Sequence, residues 1–107
     1  MVTITVIYDN NPWDRRMMVA WGFSCLIKSS ESRILFDTGG DPFTLIENMK
    51  ILKETAEGIN FIMLSHPHAD HTGGLSAILK GKKGVKLCLG HSFPESFKEL
   101  EEGKVHM

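Results

Sequence analysis

The sequence predicts one α/β (α+β) domain, built as a mixed, mostly antiparallel sheet with helices on one face. Three observations predict it. Apolar runs rich in β-branched residues fill the first third of the chain, separated by short polar turns. After Asp41-Pro42 the apolar residues recur at helical spacing. Two further apolar runs, at 59–64 and 85–89, then follow with a second helical stretch between them. The resulting order is β-β-β-α-β-α-β-α within 107 residues, the length of a single domain.

Residues 2–8 (VTITVIY) carry the composition of a strand, broken by Asp9-Asn10-Asn11-Pro12. Residues 19–28, with Trp21, Phe23, Leu26 and Ile27, read as a second strand. Ser29-Ser30-Glu31-Ser32 turns the chain into a third, at 33–36, so the two make an antiparallel hairpin. Asp41 then supplies an N-cap and Pro42 the first helical position. Phe43, Ile46, Met49 and Leu52 extend that helix, which ends near Gly58. The run at 59–64 (INFIML) is apolar throughout, as expected of a strand covered on both faces. Leu75, Ile78 and Leu79 mark a short helix stopped by Gly81; residues 85–89 are a fifth strand and 94–100 a final helix.

Composition narrows the function classes. The chain is 42% hydrophobic and 23% charged, with a formal net charge of −1. Such a balance creates no single-sign field to steer nucleic acid or an anionic membrane. The basic stretch at 80–86 (KGKKGVK) reads as a solvated turn. No apolar run approaches the ~20 residues of a membrane helix. The N-terminus lacks a basic segment followed by an apolar one, so it reads as a strand and not as a signal peptide. A cytoplasmic location is the expectation. Cys25 and Cys88 each lie in an apolar run with no CxxC pairing, and are expected to be buried free thiols.

The chemistry concentrates in Ser65-His66-Pro67-His68-Ala69-Asp70-His71. The segment directly follows a predicted buried strand, where sheets commonly present functional groups. Two residues apart in extended chain point the same way, so His66 and His68 can converge on one ion. The bend into the helix after Gly73-Gly74 can aim Asp70 and His71 at a second position. Imidazole and carboxylate donors of this kind suit zinc, iron or manganese. A lone loop histidine is ordinarily just solvated; three histidines and an aspartate within six residues, framed by a strand and a diglycine, point to a metal site.

His66-Pro67-His68-Ala69-Asp70-His71 resembles the HxHxDH motif of the metallo-β-lactamase superfamily, as do the surrounding SHPHADHTGGL and the upstream ILFDTGG. The resemblance runs from about Gly22 to Phe97, and ILFDTGGDPFTLIENMKIL is most similar to a branch of methanopterin-precursor synthase-like hydrolases. It implies His66 and His68 as ligands of a first metal and Asp70 and His71 of a second. Zinc is the expected ion, with iron or manganese as alternatives. Metal-activated water would attack an ester, amide or phosphodiester, with Asp70 orienting it or moving its proton. Asp37, in the DTG turn, would support the histidine loop from behind, although a plain turn-capping role is the simpler reading.

The superfamily fold is an αββα sandwich of two similar halves, and its remaining ligands come from the second. The resemblance therefore implies that this chain is an N-terminal half, truncated or part of a split enzyme and doubtful in activity alone. His91, after a predicted strand, is a candidate to line the cleft; His106 lies at a terminus expected to fray. The sheet face that a second half would cover implies a homodimer or a complementary C-terminal half as partner. A di-iron oxidoreductase of the same superfamily is one alternative, and a non-catalytic binding or assembly module with a relic motif is another. The substrate, a small molecule, is not readable from fold.

Overall fold

The computed structural model describes residues 1–80, 85–89 and 93, and the backbone of 105–106. The elements are β1 (Thr3–Tyr8), β2 (Ser24–Lys28), β3 (Arg33–Phe36), α1 (Pro42–Ile51), β4 (Phe61–Met63), α2 (Ala69–Thr72), α3 (Leu75–Leu79), β5 (Val85–Cys88) and β6 (Val105–His106). The strands form one mixed sheet in the order β1-β2-β3-β4-β5-β6. The pairs β1–β2 and β2–β3 are antiparallel, while β3–β4, β4–β5 and β5–β6 are parallel. The expected sheet was mostly antiparallel, which holds only for its N-terminal part. Parallel pairing follows where a helix carries the chain back across the sheet, as α1 does between β3 and β4, and α2 with α3 between β4 and β5.

Register explains the core. Leu26, Leu35, Ile62 and Leu87 are mutual partners across four strands and so share one face. They are buried together with Leu45 and Met49 of α1 and Leu75, Ile78 and Leu79 of α3. Each such side chain contributes roughly 1.5–3 kcal/mol on leaving water. The opposite face carries the rows Ile27, Ile34, Phe61, Lys86 and Cys25, Phe36, Met63, Cys88. It is half-open: Met63 is 41% exposed and Ile4 64%. The run at 59–64 is therefore covered on one face and not on both, and only Phe61–Met63 is strand. The same alternation leaves the Cys88 thiol exposed, against the expectation of burial, while Cys25 is buried.

Helix α1 begins as expected. The Asp41 carboxylate accepts from the Thr44 amide (3.2 Å) and the Thr44 hydroxyl (2.6 Å), and Pro42 opens the first turn. The helix ends at Ile51, well short of Gly58, because Lys53 turns into the left-handed region at φ 59°. Its buried face is Leu45, Asn48 and Met49, while Phe43 is 61% exposed. Asn48, which the apolar spacing passed over, docks the helix. Its Nδ2 donates to the carbonyls of Ile7 and Met18 (both 2.9 Å), and its Oδ1 accepts from the Met18 amide (2.8 Å).

Residues 19–23 are not strand: β2 starts at Ser24, and Val19 and Trp21 lie exposed. The chain there is drawn toward α2 instead of along β1, for reasons given below. The turn α2, which holds Asp70 and His71, was not expected; the helix expected after Gly73-Gly74 follows it as α3. Residues 105–106 pair with β5, so His106 belongs to a strand backbone and not to a frayed end. The stop at Gly81, the helix at 94–100 and the whole of His91 lie outside the described residues. Among those described, no helix is long and apolar enough to cross a membrane.

Candidate metal centre

Because β3 and β4 are parallel, the turn after β3 and the loop after β4 emerge at the same edge of the sheet. This is where open α/β sheets place their ligands. The first turn is Asp37-Thr38-Gly39-Gly40; the second is the histidine loop. They are stitched together. The amide of Asp37 donates to the Met63 carbonyl (2.8 Å), and that of Thr38 to the His71 carbonyl (2.8 Å). The Thr38 hydroxyl donates to the His71 carbonyl (3.0 Å) and accepts from the Gly74 amide (3.1 Å).

Asp37 is the hub. It takes the left-handed backbone conformation (φ 56°), uncommon for a residue with a Cβ, and its side chain is 1% exposed. Its Oδ1 accepts from the Ser65 amide (2.7 Å), and its Oδ2 from the Ser65 hydroxyl (2.7 Å) and from His71 Nδ1 (2.8 Å). Three donors on one buried carboxylate are what its desolvation requires.

This network decides the tautomers. The carboxylate only accepts, so the proton in its bond with His71 sits on Nδ1. The Ser65 hydroxyl spends its own proton on Asp37, so its 2.7 Å bond to His66 Nδ1 must carry the imidazole's proton. In the neutral imidazole both rings would thus hold their hydrogen on Nδ1 and offer the Nε2 lone pair to a ligand. One donor atom each of His66, Asp70 and His71 lies within 4.8 Å of the others. Small side-chain rotations bring such a spacing to ligand bonds of about 2 Å, so the set fits a zinc-class ion.

His68 stands beside this group. Its ring meets His66 edge-on, with centroids 4.7 Å apart, while His66 and His71 lie 4.3 Å apart. The three-residue group thus takes one member of the first expected pair and both of the second. Asp70 is 45% exposed and His71 21%, leaving the donors accessible from solvent. Burial, with the Asp37 carboxylate adding to it, pushes the Cys25 thiol up, so it remains a protonated core thiol.

Two glycines let the backbones come this close. A Cβ on Gly22, itself at φ 125°, would strike the Asp70 carbonyl, and one on Gly73 would strike the Gly40 carbonyl. Gly22 is why residues 19–23 leave the strand: the chain there packs against α2. The Asn10 side chain accepts from the Gly22 amide (2.9 Å) and secures it. Sequence reading assigned no role to Ser65, Thr38 or Gly22; only Ser65, adjacent to His66, carried a local signal.

Comparison with known proteins follows the same lines. The chain is 44% identical over 63 residues to a 7,8-dihydropterin-6-methyl-4-(beta-D-ribofuranosyl)-aminobenzene-5'-phosphate synthase of Methanocaldococcus jannaschii, covering 55% of this chain and 21% of that protein. A solved structure described as a metal-dependent hydrolase of the beta-lactamase superfamily is 28% identical, with a TM-score of 0.59 over 78% of this chain and 28% of the other. A metallo-beta-lactamase fold protein of Bacillus subtilis shares the fold at 19% identity and TM-score 0.70, over 99% of this chain and 45% of its own. Across the curated relatives the chain spans 21% to 29% of their length. The family model of the metallo-beta-lactamase superfamily matches residues 22–105, and the chain belongs to that superfamily.

Proposed function

We propose that this chain is the metal-binding portion of a metal-dependent hydrolase, acting on an ester, amide or phosphodiester of a small molecule. The observation that carries the reading is the Asp37–Ser65 relay, which fixes both His66 and His71 with Nε2 free beside the Asp70 carboxylate. The similar metal-dependent hydrolase supports the reaction class. His66, His71 and Asp70 would hold the ion, with His68 flanking them. When bound, a zinc-class ion supplies Lewis acidity for hydrolysis. Asp70, the most exposed carboxylate of the group, orients the attacking water and accepts its proton. Asp37 touches no substrate; it holds the two imidazoles in one tautomer and one orientation.

A hydrolytic zinc ordinarily has three protein ligands and an open position, and a second metal needs ligands of its own. A complementary C-terminal half, or a second copy of this chain, completes the set and covers the half-open sheet face around Met63 and Ile4. The test is metal content after purification with zinc, iron or manganese, followed by hydrolysis of bis(p-nitrophenyl) phosphate and p-nitrophenyl acetate, each before and after chelation. Stoichiometric zinc with chelator-sensitive turnover is expected once the site is complete. Retention of no metal under any loading would sink the proposal in favour of a non-catalytic module, and redox-active iron would favour the oxidoreductase alternative.

A further inference from the structure

Beside Asp70 of the candidate centre lies an open depression of about 360 Å³ lined by Tyr8, Ala20, Trp21, Gly40, Asp41, Ala69 and Asp70. It adjoins the metal group through Asp70, which belongs to both. Its walls offer almost no free polar chemistry. The Tyr8 hydroxyl already accepts from the Asp41 amide (2.9 Å), and the Asp41 carboxylate is engaged by Thr44. Apart from the Asp70 carboxylate and the Tyr8 O–H, what remains is aromatic surface, alanine methyls and glycine backbone.

Trp21 is the unusual member, because it is 78% exposed on a backbone held from both sides. Asn48 binds Met18 through both its amide and its carbonyl. Asn10 binds the Gly22 amide, and Gly22 itself is pressed against Asp70. A mobile loop tip can expose an indole without consequence. An indole on a tethered backbone, rimming a depression beside a candidate metal ligand, is an aromatic platform whose main chain is already ordered before binding.

Building on the hydrolase reading, we infer that this depression is a substrate subsite for a flat, uncharged ring, stacked on Trp21, with the hydrolysable group at the Asp70 end. Flatness follows from the indole and the glycine wall. Lack of negative charge follows from Asp41 and Asp70, which flank the space and repel an anion. The volume, near the lower end of the roughly 300–1,000 Å³ of small-molecule sites, is enough for one ring system.

Two measurements test it. In the first, zinc-loaded protein is titrated with phenylphosphonate and with methylphosphonate, which share the metal-seeking head and differ in the ring. The phenyl compound is expected to bind about tenfold tighter. Trp21→Ala should bring that ratio to near one with zinc stoichiometry unchanged, and Trp21→Phe should keep most of it. An unchanged ratio in Trp21→Ala would overturn the subsite. In the second, neutral benzamide is titrated into metal-free protein and followed by amide and indole NMR. Shifts centred on the Trp21 indole and on Gly40 and Ala69 are expected, and weaker ones with cyclohexanecarboxamide. Their absence overturns the subsite whatever the metal does, whereas failure to load zinc with these shifts present overturns only the hydrolase reading.

Discussion

Asp37 illustrates how much one side chain can organise. A carboxylate that is 1% exposed and serves Ser65 and His71 has no slack: removing its charge unsettles both candidate-ligand imidazoles. Asp37→Asn keeps the volume but puts an amide donor among donors. Zinc affinity is expected to fall about 10–100-fold, read by competition with a chromophoric chelator. Gly73→Ala acts on the same site from the backbone, since its methyl would meet the Gly40 carbonyl. We expect a loss of about 1–3 kcal/mol in urea denaturation, together with weaker metal binding. Asn48→Leu is the contrasting case, because it is remote from the metal. It strands the Ile7 carbonyl and both backbone groups of Met18, and should cost on the order of 2–4 kcal/mol while zinc affinity in the folded protein changes little.

At the scale of elements, the row Leu26, Leu35, Ile62, Leu87 joins the antiparallel and parallel parts of the sheet into one core. Leu35→Ala removes a fully buried side chain from the strand that leads directly into Asp37. It should cost about 2–5 kcal/mol in the same denaturation measurement. Helix α1 carries a pH signature at its N-terminus. The Thr44 hydroxyl, followed by backbone amides, holds the Asp41 carboxyl below its ordinary value of 3.8. A depressed carboxyl contributes stability that is complete above the ordinary value and is lost as the pH falls below it. Asp41→Ala should therefore flatten that acid-side part of the melting temperature profile and leave the neutral part parallel to the parent. The face of α1 shows where spacing misleads. Positions 43, 46 and 49 and positions 45, 49 and 52 both satisfy helical periodicity, and docking against β1 and α3 selects Leu45 over Phe43.

For the whole molecule, the decisive feature is the sheet's two unequal faces. One is packed by α1 and α3; the other leaves Ile4 and Met63 in solvent and the Cys88 thiol accessible. A surface of that kind favours a covering partner. Sedimentation of the purified chain is expected to show a dimer, or a stoichiometric complex once a complementary C-terminal half is supplied. A monodisperse monomer that binds no such half would refute the covering partner. Cys88 supplies a second readout, because a thiol on the covered face should react more slowly with a maleimide in the complex than in the free chain.

The candidate loop was legible in the chain itself, because three histidines and an aspartate lie within six residues, and three of the four, His66, Asp70 and His71, come together in space. Apart from the short α2, the order of strands and helices from β1 to β5 was legible for the same reason, since period and turn chemistry are short-range. The family resemblance implied that Asp37 supports the histidine loop, but only the tertiary structure gave its partners, Ser65 and His71, 28 and 34 positions away. Only it set Gly22 against Asp70, took residues 19–23 out of the sheet and left one sheet face half-open. Those outcomes depend on which surfaces meet in space. A linear pattern records what each segment prefers, and the packed fold determines which preferences give way.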